Sequence, residues 1–253
     1  MRRLIRFEDA YGVKSMYELL YPIYGNTISM GGDRRLVIPN EGDICEFGIT
    51  SPKVFMLDSY MQAIIKQYEI SEIVLVYDMD SVTGKGILTH SDLISHLADT
   101  EKWCKSNNVS IRLVPVVWAA ETLALFTILR KYKYFCKLSG KQIDVAEVVH
   151  LKNTPRCLGV ILDKILSDEG VKAKYKHIHS YITLADINVH LRKYVSKINY
   201  PVIDFLFEKQ TLSYIEGLLF QYRIESYYAN LCSRGRTSIS IGNTVLSLTK
   251  KCW

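Results

Sequence analysis

Along the first half of the chain, short β-branched apolar runs alternate with stretches of helical period. Residues 4–7 predict a strand. Val13, Met16, Tyr17 and Leu20 then recur at the i, i+3, i+4, i+7 spacing of one helix face, which predicts a helix over 13–20. Residues 26–30 predict a second strand. It is followed by the Gly- and Asp-rich GGDRR and a polar segment over 40–52 that is expected to be a long loop. A helix is expected over 54–68, with Pro52 just ahead of its first turn. The run EIVLVY over 72–77 is apolar without alternation, as in a strand buried on both faces. A helix over 91–104 with Ser91 as N-cap, a strand over 109–117 and a helix over 118–134 complete the pattern, and Pro115 marks an edge or irregularity of that strand. Such alternation predicts an α/β fold, a mostly parallel sheet with helices on both faces.

Beyond about residue 140 the period changes. Segments 143–149, 157–166, 184–195, 202–206 and 212–228 are mostly helix-like, and 237–248 carries β-branched residues around a Gly-Asn pair suited to a hairpin turn. The expected organisation is an α/β domain over 1–138 and a mostly helical C-terminal region over 139–253.

Composition narrows the function classes without choosing among them. A chain of 253 residues, 48% hydrophobic and 23% charged, can bury a sizeable core without staples. Six scattered cysteines with no CxxC pair are expected to be free thiols in a reducing compartment. The N-terminus MRRLIRFED leaves no room for a secretory apolar region, and no apolar stretch approaches the roughly 20 residues of a membrane span, so a cytoplasmic location without a membrane partner is expected. The net charge of +6 and pI near 8.9 favour anionic partners, nucleic acid first among them.

Acids at the ends of these runs carry the chemistry. Glu8 follows the first strand in LIRFEDAYG, Asp78 and Asp80 follow the clearest strand in IVLVYDMDS, and Glu121 follows PVVWAA. In open α/β sheets, ligands bind in the crevice outside the carboxyl ends of the strands. Carboxylates gathered there repel one another unless a cation lies between them, and hard divalent cations take oxygen ligands. Asp78 and Asp80, two residues apart, point the same way in extended geometry and can reach one ion. A Mg²⁺ or Mn²⁺ site is therefore expected. Turn-capping by the Asp pair, pairing of Glu8 with Arg3, Arg6 or Lys14, and a helix-dipole role for Glu121 are the structural alternatives.

The order of elements, with a Glu ending the first strand and a DxD ending a later one, resembles the Toprim fold of topoisomerases, primases, small ribosomal-RNA maturases and OLD-family nucleases. The resemblance covers roughly residues 1–130. FEDAYGVKSMYELL is similar to the first motif of small Toprim-like proteins of anti-phage defence, including OLD-like nucleases, the PARIS effector and the RloB-like group. It keeps the Glu, Val13-Lys14 and Tyr17, but Asp9 stands where that motif has Gly, and Gly12 where it has Asp. The resemblance implies that Asp78 and Asp80 hold Mg²⁺, that Glu8 is acid/base or co-ligand, and that Glu121 is a ligand of a second metal. Two such ions about 4 Å apart would clamp a phosphodiester. It implies a metal-dependent endonuclease on DNA or RNA, a toxic effector of phage defence, with a separate ATPase regulatory subunit and a homo-oligomeric state.

Other features are weaker. SVTGKG lacks the first Gly and the Ser/Thr of a P-loop, so no ATP site is expected; Lys85 within it and Lys14 are the candidate phosphate contacts, with a solvated surface Lys as the alternative for Lys85. His177 and His179 would share one face of a strand, as a zinc pair could. Basic and aromatic residues interleave at 130–135, 172–179 and 191–197, a mixture suited to phosphate contact and base stacking or to ordinary solvated faces. The alternative function is a non-catalytic module of the same fold that binds nucleic acid or protein.

Overall fold

The apolar run of the clearest strand sets the core. Ile73, Val74, Leu75 and Val76 are all buried, so the strand β5 (Ile70–Asp78) is covered on both faces. The computed structural model describes residues 2–50, 53–78, 90–116, 119–138, 141–144, 155–194, 201–209 and 247–250. The chain divides into two compact units, Met1–Ala119 and Ala120–Trp253. The expected division lay near residue 138.

In the first unit, β1 (Arg2–Phe7), β2 (Asn26–Ser29), β3 (Arg35–Ile38), β4 (Ile44–Phe47), β5 and β6 (Ser110–Val116) form one sheet in the order β2-β3-β4-β1-β5-β6. β4, β1, β5 and β6 run parallel, and β3 is antiparallel to both β2 and β4. The fold is α/β, with a mostly parallel six-stranded sheet flanked by helices. Pro115 lies in the edge strand β6, where a missing N–H costs least.

Alternation along the strands sends side chains to two faces. Leu4, Leu36, Ile44, Ile73 and Leu75 pack with Met61, Ile64 and Ile65 of α2 (Ser59–Gln67) and with Cys104 of α3 (His90–Ser106). On the other face Phe7 meets Tyr17 of α1 (Val13–Leu20), ring centroids 5.5 Å apart. Val13, Met16 and Tyr17 of that helix are buried, as their spacing predicts.

The polar segment over 40–52 is not one long loop. It contains β4, and β3 precedes it, because a buried charge network replaces apolar packing there. Arg6 of β1 is the register partner of Glu46 of β4, and both are buried; their side chains meet at 2.5 Å. Glu46 also takes Arg34 at 2.5 Å, and Arg34 reaches Asp58 at 3.1 Å. Asp58 caps α2 by accepting the Met61 N–H at 2.8 Å. Arg6 donates in addition to the carbonyls of Val54 and Met56, which fixes the short 3-10 turn Lys53–Phe55 where a continuous helix over 54–68 was expected. Gly48 follows β4 at φ +72°, and a Cβ there would lie 2.3 Å from the Asp33 carbonyl oxygen, so glycine is required.

The second unit contains α4 (Ala120–Lys131), β7 (Tyr134–Leu138), β8 (Lys141–Ile143), α5 (Pro155–Asp168), α6 (Pro201–Phe207) and β9 (Ser247–Lys250). A composite helical run of α, π and 3-10 turns over 184–194 precedes α6. The strands form an antiparallel sheet in the order β8-β7-β9. Residues 134–138 and 141–143 are thus strands where no strand was expected. The expected helix over 212–228 and the Gly-Asn turn lie outside the described residues. Among the described residues no helix is long and apolar enough to cross a membrane.

Removing one member of a buried charge network strands the others. Glu46→Gln is expected to cost about 3–5 kcal/mol in urea denaturation, and a loss below about 1 kcal/mol would contradict the role given to this pair. The Asp58 carboxyl gives a pH dependence. Burial opposes its charge, but the Met61 N–H, Arg34 and Arg6 outweigh burial and hold it below its ordinary value of 3.8. A depressed folded value means that the contribution is complete above 3.8 and is lost as pH falls through the lower folded value. Stability measured from pH 5 downward (the range over which such carboxylates protonate, roughly pH 5 to 1) should therefore fall less steeply in Asp58→Asn than in the wild-type chain.

Candidate functional site at the carboxyl ends of two parallel strands

β1 and β5 are adjacent and parallel, and the chain leaves them in opposite directions: from β1 toward β2, β3 and β4, from β5 toward β6. The helices that follow pack on opposite faces, α1 against Phe7 and α3 in the cluster around Leu75. This is a topological switch point, the place where open α/β sheets bind ligands. Glu8 and Asp78 both lie there.

The Glu8 N–H donates to the Val76 carbonyl at 3.0 Å, continuing the β1–β5 ladder by one residue. Its side chain turns toward β5, and Oε2 accepts the Asp78 N–H at 2.9 Å. Both residues are half-buried. Tyr77, between the ladder partner and Asp78, stands edge-on to Phe55 at 4.9 Å. Its phenol is pushed up, first by burial and then by the negative charge of Glu8.

Asp9 has a local role. Its Oδ1 accepts the N–H groups of Ala10 at 2.5 Å and Tyr11 at 3.3 Å, the arrangement of an Asx turn leading into α1. The basic residues expected as partners of Glu8 each hold another acid. Arg3 binds Asp43 at 2.7 Å, Arg6 binds Glu46, and Lys14 meets Glu18 at 2.6 Å while lying 4.2 Å above the Phe47 ring. Lys14, a candidate phosphate contact, is thus placed against Glu18 and Phe47.

Asp80 and Lys85 lie outside the described residues. Glu121 belongs to the second unit, in the first turn of α4, where an acid complements the helix dipole. Burial raises the phenol of Tyr181, and the charges of Glu121 and Asp163 raise it further. The Tyr181 hydroxyl donates to the Tyr175 carbonyl. Among the described residues no three His, Cys, Asp or Glu side chains are grouped to hold a metal ion.

The two histidines do not sit on a strand. His177 precedes a 3-10 turn, Ile178–Ser180, and its ring meets that of His179 edge-on at 5.8 Å. The 3-10 turn takes the place of the expected strand, with Ile178 between the two histidines buried.

Two of the three basic–aromatic stretches are engaged internally. Lys131 binds Asp186 at 2.7 Å, Arg130 lies 4.5 Å above the Tyr194 ring, Tyr134 donates to Glu169 at 2.9 Å, and Arg192 lies over Phe207. The buried thiols of Cys104 and Cys136 are pushed up to about 11 and about 12, by burial and then by Glu101 and Asp144 respectively, which keeps them protonated and unreactive.

Compared with family models, curated proteins and solved structures, the chain has no match.

The link between Glu8 and Tyr77 can be measured. Glu8→Gln keeps a hydrogen-bond acceptor at that place and removes the charge. The Tyr77 phenol should then titrate lower than in the wild-type chain, yet still above its ordinary value because burial remains, as read by NMR of the ring carbon with Tyr77→Phe for assignment. An unchanged titration would remove Glu8 from the electrostatics of this site.

Proposed function

We propose that the protein is a metal-dependent nuclease of Toprim-like type, acting on phosphodiesters of DNA or RNA as a toxic effector in phage defence. The observation that supports this most is the delivery of Glu8 and Asp78 to one point, joined through the Asp78 N–H at a topological switch. A carboxylate has about four lone-pair sites, so accepting a backbone N–H is compatible with holding a cation. The oxygen donors of Glu8 and Asp78, with Asp80 two residues on, fit a hard divalent cation such as Mg²⁺ or Mn²⁺. Such an ion would supply charge neutralisation at the phosphoryl oxygens and a more acidic bound water.

In this reading Asp78 and Asp80 hold the ion and Glu8 is co-ligand or general base. Its position is fixed by two hydrogen bonds with β5, so a proton can be taken at a defined place. Glu121 is assigned as a further ligand on the resemblance alone. Regulation by a separate ATPase subunit and a homo-oligomeric state belong to the same proposal. A second reading has its own observation: capping the Asp78 N–H is a structural task that Glu8 performs without a metal, as a non-catalytic binding module would require.

Purified protein incubated with plasmid, single-stranded DNA and total tRNA in Mg²⁺ or Mn²⁺ separates the two. Cleavage should occur with at least one substrate and fall by about 10²–10⁴-fold in Glu8→Gln and Asp78→Asn. Absence of cleavage from all three favours the binding module, and cleavage by both variants at the wild-type rate overturns the assignment of Glu8 and Asp78.

A further inference from the structure

The segment 171–176 alternates in exposure. Val171, Ala173 and Tyr175 are half-buried, whereas Lys172, Lys174 and Lys176 are exposed. Among the described residues none of these three lysines holds a carboxylate; Lys176 lies only over the neighbouring Tyr175 ring, 6.0 Å from its centroid. This contrasts with Lys131 and Lys164, which bind Asp186 and Asp168.

The backbone that carries them is held in place. The Val171 N–H donates to Leu166 at 2.8 Å, and the His177 N–H closes a turn on Lys174 at 2.9 Å. Tyr181 donates to the Tyr175 carbonyl, and the Tyr175 ring covers Gly159 so closely that a Cβ there would lie 3.0 Å from it. Ile178 just beyond is buried. Three unneutralised ammonium groups therefore project from an ordered strip, and a ligand that binds them does not have to order the strip first.

We propose that Lys172, Lys174 and Lys176 form a docking strip for the phosphate backbone of nucleic acid. The strip rests on the nucleic-acid part of the proposed function, but not on cleavage. A repeating polyanion fits a row of cations on alternate residues, each neutralising a phosphate. A lipid surface fits less well: no large apolar side chain is exposed over 171–180, and polybasic membrane attachment takes about four to eight cations.

The test is fluorescence anisotropy with the full chain in EDTA, which stops any metal-dependent cleavage. The probes are labelled single-stranded RNA and DNA of one sequence, and sedimentation with phosphatidylserine vesicles runs alongside. The triple variant Lys172→Gln, Lys174→Gln, Lys176→Gln should weaken nucleic-acid binding by on the order of a hundredfold at about 0.1 M salt and lower the slope of log K against log salt by about 2, three contacts at about 0.7 each. Replacing all three by Arg should retain binding. The control Lys53→Gln, Lys102→Gln, Lys105→Gln removes the same charge from exposed positions of the first unit and should change binding far less. Thermal melts confirm that each variant folds.

The proposal fails if the wild-type chain binds neither probe, if the two triple Gln variants weaken binding equally, or if the 172–176 variant loses vesicle binding and keeps nucleic-acid binding. A nuclease assay that fails while this pattern holds removes the catalytic reading and leaves the strip.

Discussion

The buried contact between Arg6 and Glu46 is the constraint on which the first unit depends. The two are register partners in the parallel pair β1–β4, and both side chains are withdrawn from water. Desolvating two charges is costly, and their attraction offsets that only while the geometry is kept. A one-residue slip of β1 would send Arg6 to the opposite face and leave Glu46 without its β1 partner. The pair therefore specifies register as well as joining strands. Through Arg34 and Asp58 it also sets where α2 begins, and through the Val54 and Met56 carbonyls it sets the turn before that helix. Glu8 lies two residues beyond Arg6. The same pin that holds β1 against β4 thus decides that Glu8 emerges opposite the end of β5.

Much of this was legible in the chain, for local reasons. The helix over 13–20 was visible because its three buried apolar side chains recur with helical period, and β5 because four consecutive apolar residues have no other use than burial on both faces. The convergence of Glu8 and Asp78 was legible in part, since acids that end neighbouring parallel strands lie side by side. What escaped is non-local. β3 and β4 are short, and Glu46 in β4 resembles a loop residue until Arg6 and Arg34, from elsewhere in the chain, neutralise it. β7 pairs with β9 across more than a hundred residues, so its aromatic and basic side chains carried no strand signal of their own. Asp9 looked like a departure from a motif, and the structure gives it a turn to cap.

The two units distribute the acids differently. Glu8 and Asp78 meet at the ends of adjacent strands within the first unit, and Tyr77 registers the charge of Glu8 there. Glu121 sits in the second unit at a helix start, where its charge and that of Asp163 act on Tyr181. Helix-dipole stabilisation accounts for an acid in that turn without any ligand. Of the described acids, Glu8 and Asp78 are the pair placed together at strand ends, and Glu121 is not grouped with them.

The placement of positive charge connects the two proposals. A net charge of +6 would favour polyanions in any arrangement, but the cations expected as partners of Glu8 are committed: Arg3 to Asp43, Arg6 to Glu46, Lys14 to Glu18. Arg130, Lys131 and Arg192 are likewise turned to partners inside the second unit. The exposed lysines at 172, 174 and 176 are of the sign that attracts a phosphate backbone, as proposed above, whereas the carboxylates of Glu8 and Asp78 are of the sign that repels one. An enzyme that cuts that backbone through these carboxylates must reverse the sign of the potential at the reacting phosphate. A divalent cation held by carboxylates reverses it in one step, which is why the ion belongs to the nuclease reading as a requirement of its electrostatics.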